Sequence, residues 1–499
     1  MDKRKSILNV SVSVALKLML LVCAIAGRRL VIDRLGSGIN GLNSLYLNLI
    51  DTLALAELGV GEAVTYCMYE PATRGETQRL SALFFYFKKL YRIIAGVIFI
   101  AGLLVVPSLR RLAVGCEALG VNLSLTFLLM LLSVCITYFY GAETALLNAH
   151  KNNYIATAVT SGGKLLQYLL QMAVLASTGS YVGFLVCRIL SSGAQWAAAR
   201  WLACRRYSAV ILRRQEADTG IKRTVGRNVS AMFLHKLGAV VVNSTDGILI
   251  SAFVGVTVLG KYSNYTAIMT SMTGVLGLIF SSLTSTVGHL YVQKSTGEVR
   301  RHFERFYSLN HMLGAVFFLG YYAVIDLLVA LLFGRDLQLD RGVTLMLTLS
   351  YFIRFTRRAV LLFRDATGTF YHDRWKPALE SVVNLVVSLV LGRQMGISGI
   401  LLGTVITDLT ICSIAEPRVL YRNVFKRPAA GFILKNYGFI LLFAAALMLL
   451  DRLLAGVTGF FARGLVSIAV SGVLCLGILT VSPRLFGAIR KNGRHINEK

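Results

Sequence analysis

The chain has 499 residues, of which 56% are hydrophobic and only 15% are charged, and its mean hydropathy is +0.66. Soluble proteins carry roughly 25% charged residues, so this composition predicts a polytopic membrane protein. The net charge is +28, but no soluble basic segment of domain size is present to bind nucleic acid, and basic cytoplasmic loops facing anionic lipid headgroups explain the excess better.

Apolar windows separated by charged or Gly/Pro-rich breaks predict an all-α membrane fold with about fourteen transmembrane helices. The windows lie near 7–32, 40–68, 81–106, 122–147, 154–177, 181–202, 229–254, 259–291, 307–333, 343–365, 377–395, 397–420, 431–451 and 460–482.

Basic residues alternate between the two sides of the predicted membrane. With the N-terminus in the cytoplasm, about 26 Lys and Arg fall in inside segments and 7 in outside loops, as expected for cytoplasmic loops. An even number of spans then places both termini in the cytoplasm. The longest inside loop divides the chain, which predicts a six-helix bundle at 1–202, a basic cytoplasmic linker at 203–227, a second six-helix bundle at 228–425, and a helix pair with a basic cytoplasmic tail at 426–499.

A stretch near the N-terminus is repeated about half a chain later. A shift of 219 residues aligns Leu30, Gly36, Gly41 and Tyr46 with Leu249, Gly255, Gly260 and Tyr265. Repeats at half-chain spacing are the common plan of secondary transporters. The two bundles are therefore predicted to be pseudo-symmetric.

Arg28 and Arg29 are the first candidates for substrate binding. They lie toward the predicted outer end of the first span, and buried arginine suits bidentate phosphate contact. Snorkelling to the outer headgroups is an equally good explanation. The pattern does not choose between the two arginines.

Two acidic residues are candidates for binding the substrate or a coupling ion, Na⁺ or H⁺. Asp246 lies in the seventh span, about one residue from the repeat partner of Arg28, and Glu57 lies in the second span. Intramembrane carboxylates are rare and commonly functional. For Asp246 the alternative is helix packing, with Asn243 among its hydrogen-bonding neighbours.

The tenth span carries an unusual set of arginines. Arg354 and Arg358 share a helix face and would supply charge to a phosphorylated headgroup. The alternatives are pairing with Asp326 or Glu380, or a cluster at the helix end. Lys164, in a span rich in Gly and Gln, is a weaker candidate of the same kind. Asn48, Asn243 and Gln167 are candidates for hydrogen bonds to a substrate.

No motif for enzymatic chemistry is present. The sequence lacks H-E-x-x-H, G-x-S-x-G and a P-loop, and its eight scattered cysteines include no C-x-x-C. We therefore expect a transporter rather than an enzyme, with no metal site and no cofactor besides the coupling ion.

Several of these segments resemble one family. They are RRLVIDRLGSGINGLNSLY, ALAELGVGEAV, FYFKKLYRIIAGV, NAHKNNY, NSTDGILISAFVGVTVLGKYSNY and FRDATGTFYHDRWKPALESVVNL. Together they are similar to the bacterial polysaccharide flippases of the multidrug/oligosaccharidyl-lipid/polysaccharide (MOP) exporter superfamily. The resemblance implies two six-helix bundles about a central cavity, an added C-terminal helix pair, and residence in the bacterial cell membrane.

The resemblance also implies a substrate. That substrate is an undecaprenyl-pyrophosphate-linked glycan, such as a capsule, exopolysaccharide or O-antigen repeat unit, flipped to the outer leaflet by alternating access. Glycosyltransferases and a polysaccharide polymerase would be its functional partners. The alternatives are a lipid II flippase or a drug/cation antiporter of the same superfamily and, from a different class, an integral-membrane polysaccharide polymerase or ligase.

Overall fold

The structure is a computed structural model that describes residues 3–57, 60–150, 153–213, 215–369, 372 and 375–481. Within these ranges it is helical, without strands. The α-helices are α1 (Lys3–Leu35), α2 (Ser37–Leu53), α3 (Val60–Arg74), α4 (Thr77–Val105), α5 (Leu109–Leu112), α6 (Leu123–Tyr138), α7 (Gly141–Ala149), α8 (Asn153–Thr178), α9 (Tyr181–Arg206), α10 (Ser208–Ile211), α11 (Thr219–Phe253), α12 (Val256–Gln293), α13 (Thr296–Leu332), α14 (Arg341–Ala366), α15 (Lys376–Thr407), α16 (Ser413–Leu420), α17 (Ala430–Leu454) and α18 (Phe460–Val481).

Every predicted span overlaps one of these helices or two that are consecutive in the chain. The predicted all-α membrane fold is confirmed. By length and composition alone, seven helical segments among the described residues qualify as membrane spans. α14 is not one of the seven, because its arginines exceed the charge that such a window allows. The chain is therefore a multi-pass membrane protein in which some spans carry buried charge.

The chain divides into two compact units, residues 1–263 and 264–499. The four-part division inferred from the loops stays a prediction, and the basic tail from residue 482 onward lies outside the described residues. In the first unit α8 packs on α1 and α9, and α2 packs on α11. In the second unit α13 packs on α14 and α18.

The repeat glycines meet in the first unit, where α2 packs against the start of α12. A Cβ atom on Gly41 would lie 1.7 Å from the carbonyl oxygen of Val256, and one on Gly260 would lie 2.4 Å from that of Ser37. Only glycine permits this backbone approach. Val256 N–H also donates to the carbonyl of Val114 at 3.0 Å, which ties the same turn to the loop after α5.

The repeat tyrosines make equivalent contacts, one in each unit. Tyr46 and Tyr265 are both fully buried. Tyr46 OH donates to the carbonyl of Leu123 at 3.0 Å, at the start of α6. Tyr265 OH donates to Asp326 Oδ1 at 2.6 Å and accepts from Leu339 N–H at 3.1 Å, just before α14. The sequence repeat thus corresponds to a repeated anchoring contact.

Because its partner is a carboxylate, Tyr265 is expected to contribute more stability than Tyr46. Tyr265→Phe leaves both Asp326 and the Leu339 amide without this partner and should cost about 2–3 kcal/mol, whereas Tyr46→Phe should cost about 1 kcal/mol. Chemical denaturation of each variant in detergent micelles measures the difference. Equal costs for the two substitutions would contradict this interpretation.

The helical conformation of α15 is interrupted at the boundary predicted between the spans 377–395 and 397–420. Gly396 has φ 61° and ψ −135° inside α15, a left-handed conformation that favours glycine. The chain folds back there, so that Asn384 Nδ2 donates to Thr404 Oγ1 at 3.0 Å and Ser388 Oγ to the carbonyl of Ile400 at 3.2 Å. A π-helical turn, Asp408–Cys412, then follows α15 directly.

Candidate functional site

Arg28 is anchored beside the glycine contact. It lies on α1 and is partly buried, and its Nη1 donates to Ser263 Oγ at 3.1 Å. Ser263 Oγ donates in turn to the carbonyl of Gly260 at 2.8 Å, and Asn40 Nδ2 donates to that same carbonyl at 3.2 Å. The guanidinium is therefore held in place through a neutral hydroxyl on α12.

A second arginine shares a neighbour with Arg28. The Tyr168 hydroxyl on α8 lies within electrostatic reach of both Arg28 and Arg188, and Asp51 lies within reach of Arg188. We call these four residues the Arg28 cluster. Its formal charge is +1, since two arginines outweigh one aspartate. The arrangement is suited to an anion such as a pyrophosphate, to which arginine donates in bidentate fashion.

Arg188 was not among the residues singled out from the sequence. Its signal was present, because Arg188 is the only charged residue in the predicted sixth span before Arg200. A lone charge inside an apolar segment marks a polar interior or a functional site. Spacing within the one span gives no indication that Arg188 and Arg28 share a neighbour.

Arg29 differs from its neighbour. Its Nε contacts Asp33 Oδ2 at 2.7 Å, one turn along the same helix, and the two side chains are 43% and 45% exposed. The sequence pattern did not distinguish Arg28 from Arg29, whereas in the structure they have different partners. An exposed pair of this spacing is worth little, so Arg29 is the natural control for Arg28.

The other predicted residues of the first unit are dispersed. Glu57 accepts a hydrogen bond from Tyr91 OH at 3.2 Å. Asp246 is buried, 5% exposed, on α11. Lys164 is exposed on α8. Roles for Glu57 and Asp246 in binding the substrate or a coupling ion, and for Lys164 in binding the substrate, stay predictions.

The predicted hydrogen-bonding residues have partners or close neighbours in the protein. The amide of Asn48 occupies the space that a Cβ on Gly247 would need, with its Nδ2 2.0 Å from that position. Gln167 Nε2 donates to Gln171 Oε1 at 3.3 Å. The side chain of Asn243 lies outside the described residues.

The second unit contains a buried group of six charged side chains, which we call the ion-pair network. Its members are Arg354, Arg357, Lys376, Glu380, Asp408 and Glu416. Three are cations and three are anions, so the network is formally neutral. Arg357, at its centre, is 13% exposed.

The geometry of the network is dense. Arg357 Nη2 lies 2.6 Å from Glu416 Oε1, and its Nη1 lies 3.5 Å from Glu380 Oε1 and also contacts Asp408. Lys376 Nζ lies 2.6 Å from both Glu380 and Glu416. Three helical segments and a π-helical turn are joined in this way, and each buried charge meets its opposite.

Arg354 belongs to this network. Its Nε lies 3.1 Å from Asp408 Oδ2. Asp326 and Glu380 were the carboxylates predicted to pair with Arg354 or Arg358 in place of a substrate. Glu380 pairs with Arg357, and Asp326 accepts a hydrogen bond from Tyr265. The headgroup role of Arg354 stays a prediction, now with an internal carboxylate competing for the same guanidinium.

Arg358 lies on the same helix in a different setting. Its Nη1 donates to the carbonyl of Thr273 at 3.4 Å. Its guanidinium lies 5.7 Å from the ring centres of Phe280 and Phe355, within range of a cation–π contact. Arg354 and Arg358, predicted to act together, therefore face different partners.

Glu380, Asp408 and Cys412 bring potential metal ligands within 4.8 Å of one another. The Arg357 guanidinium contacts both of the carboxylates. It already supplies the positive charge that a metal ion would bring to these carboxylates. Glu380 and Asp408 therefore act as members of the ion-pair network.

Solved membrane transporters share this architecture over most of the chain. The lipid II flippase MurJ, in an inward closed conformation, aligns with a TM-score of 0.60 at 12% identity and covers 95% of this chain and 99% of its own. An inward-facing multidrug resistance MATE family transporter of the MOP superfamily aligns with a TM-score of 0.62 at 14% identity, covering 82% and 97%. A MOP superfamily transporter from Pyrococcus furiosus aligns with a TM-score of 0.53 at 16% identity, covering 90% and 97%.

The chain has the MOP transporter fold. The resemblance inferred from its sequence segments is confirmed at that level. No family model and no curated protein matches the chain, so the structural likeness carries the assignment. At these identities the MOP fold is shared, and cargo has to be argued from the side chains of this chain.

Proposed function

We propose that this MOP-fold protein flips a polyprenyl-pyrophosphate-linked oligosaccharide from the cytoplasmic to the outer leaflet of a bacterial cell membrane. The observation that carries the proposal is the Arg28 cluster, in which arginines from α1 and α9 approach one tyrosine from α8. A flippase must replace the water around a pyrophosphate inside the membrane, and arginine is the side chain best suited to do so.

Two features favour a lipid-linked anion over a drug or cation as cargo. A cation antiporter requires net negative charge at its pocket, whereas the Arg28 cluster is net positive. The MurJ flippase also covers 95% of this chain and the MATE transporter only 82%. The greater share of the chain that is matched favours a flippase-type layout.

The lipid II flippase remains the second candidate, because the MurJ structure matches nearly the whole chain. Lipid II and a lipid-linked polysaccharide repeat unit share the polyprenyl pyrophosphate and differ in the groups attached to it. The Arg28 cluster would bind the pyrophosphate, which both cargoes contain. An experiment that distinguishes the two cargoes must therefore compare the binding of the complete lipid-linked molecules.

The Arg28 cluster can be tested with undecaprenyl pyrophosphate as the probe. Arg28→Gln and Arg188→Gln should each weaken its binding to the purified protein about tenfold or more, since a charge-assisted hydrogen bond contributes about 1.5–3 kcal/mol. Arg29→Gln is the matched control, because its exposed pair with Asp33 predicts a change within about twofold. Titration in micelles, read by tryptophan fluorescence or native mass spectrometry, gives the affinities.

Further arms distinguish the candidate functions. Undecaprenol, which lacks the pyrophosphate, should bind more weakly than undecaprenyl pyrophosphate. Lipid II and an oligosaccharide-linked polyprenyl pyrophosphate then compete for the same protein. Preferential binding of an organic cation such as tetraphenylphosphonium, or equal losses for Arg28→Gln and Arg29→Gln, would overturn the proposal.

A further inference from the structure

A basic cavity lies in the second unit, between the end of α16 and the start of α17. It has a volume of about 590 Å³ and is lined by Arg418, Arg422, Lys426, Arg427, Pro428 and Ala429. We call it the basic cup. Its four cationic side chains are exposed, and no carboxylate is among the lining residues. The cup concentrates positive charge in a concave surface of the size that holds small ligands.

The backbone of the cup is in an unfavourable conformation. Lys426 has φ 53° and ψ 41°, and it is the only non-glycine residue with positive φ in the part of the chain that the structure describes. A lysine in this region costs roughly 1–2 kcal/mol, and glycine is the usual choice after a helix end. Strain retained at a charged residue indicates a functional position.

The backbone that forms the cup is held by a hydrogen bond and by aromatic packing. Arg427 N–H donates to the carbonyl of Tyr421 at 3.1 Å across the π-helical turn Tyr421–Phe425. The Tyr421 ring lies 5.1 Å from the rings of both Phe425 and Phe432. This aromatic packing fixes the turn, so the cationic side chains project from a rigid base.

The N-terminus of α17 opens into the cup. Ala429 is the residue before its first turn and supplies no side-chain cap, and Pro428 precedes it in the cavity wall. The backbone amides at the start of a helix attract anions.

An apolar surface continues from the cup along α17. Leu434, Leu441 and Met448 recur every seven residues and are 75%, 69% and 53% exposed. The cup itself joins the ends of two membrane spans, Lys376–Phe425 and Ala430–Leu454. A basic recess at the level of the headgroups, continued by an exposed apolar stripe, matches the two chemical parts of a phospholipid.

We propose that the basic cup binds the phosphate of an anionic lipid headgroup, with the acyl chains lying along α17. Phosphatidylglycerol is the probe. In lipid-free micelles, a saturating amount should raise the unfolding midpoint by about 3 °C through ligand linkage. Phosphatidylcholine, whose headgroup carries no net charge, should leave the midpoint unchanged.

Two matched variants test the residues. Arg422→Gln/Arg427→Gln should weaken phosphatidylglycerol binding at least about tenfold. Arg205→Gln/Arg206→Gln removes the same charge from the exposed last turn of α9 and should bind as the wild type does. A response to phosphatidylglycerol that is the same in both variants overturns the proposal.

Lys426→Gly separates the ligand role from a structural one. It relieves the left-handed lysine, so it should raise the midpoint in lipid-free micelles while weakening phosphatidylglycerol binding. Loss of stability without loss of binding contradicts the proposal. If inorganic phosphate alone produces the same shift at the same concentration, the ligand is a free anion and the lipid assignment fails.

Discussion

Replacement of Arg357 by glutamine is expected to lower the free energy of unfolding by about 3–5 kcal/mol, because it leaves buried carboxylates without their central cation. Arg357 contacts Glu380, Asp408 and Glu416, of which Asp408 and Glu416 are 2% and 1% exposed. Lys376 remains, but it reaches only Glu380 and Glu416 among the described pairs. Unfolding in detergent micelles, followed by tryptophan fluorescence, measures the loss.

Arg341→Gln on the same helix is the matched control. Arg341 Nη2 lies 2.9 Å from Asp451 Oδ1, and the two side chains are 52% and 30% exposed, so the expected cost is below about 1 kcal/mol. The double variant Arg357→Gln/Glu416→Gln should cost less than the sum of its single variants, since each removes the partner of the other. Additive costs would show that the two side chains are not coupled.

Gly41→Ala is expected to disrupt the packing of α2 against α12. The new methyl group would lie 1.7 Å from the Val256 carbonyl oxygen, whereas a normal C···O contact is about 3.3 Å. A carbonyl cannot rotate away as a flexible side chain does, so the helices must separate by about 1.5 Å. We expect a stability loss of roughly 1–3 kcal/mol and, on the proposed function, loss of headgroup transfer in reconstituted vesicles.

Gly96→Ala provides the control for this substitution. A Cβ atom there meets nothing within 4 Å, and alanine is favoured over glycine within a helix by up to about 1 kcal/mol. The two substitutions should therefore move the unfolding midpoint in opposite directions. An unchanged midpoint in Gly41→Ala would mean that the α2–α12 contact is not required for stability.

The two predictions concern different parts of a transporter cycle. The glycine contact joins α2 to the start of α12 beside Arg28, at helix ends that the charge pattern assigns to the outer side. The ion-pair network stiffens the second unit through α14, α15 and α16. In an alternating-access mechanism, rigid bodies move and close contacts open. We therefore expect Gly41→Ala to change transport more than Arg357→Gln does at equal amounts of folded protein.

Hydropathy and charge in the sequence determined the class of the protein, its helices and the position of the α15 break. This succeeds because spanning a membrane requires about 20 apolar residues per helix and all backbone hydrogen bonds within the helix. The repeat was visible because Gly41 and Gly260 tolerate no side chain, and Tyr46 and Tyr265 anchor equivalent turns. Each of these constraints acts within a short segment and therefore leaves a local signal.

The partners of the buried charges were decided by tertiary structure. Arg354 and Arg358 share a helix face in the sequence, yet one meets Asp408 and the other meets aromatic rings. Arg28 and Arg29 are adjacent, yet Arg28 bonds Ser263 on α12 and Arg29 pairs with Asp33 on its own helix. The partners lie on other helices, up to 235 residues away. The function of a charged side chain in the membrane depends on the groups that it contacts. Helical periodicity indicates only the face on which an arginine lies, whereas the packing of distant helices determines those contacts.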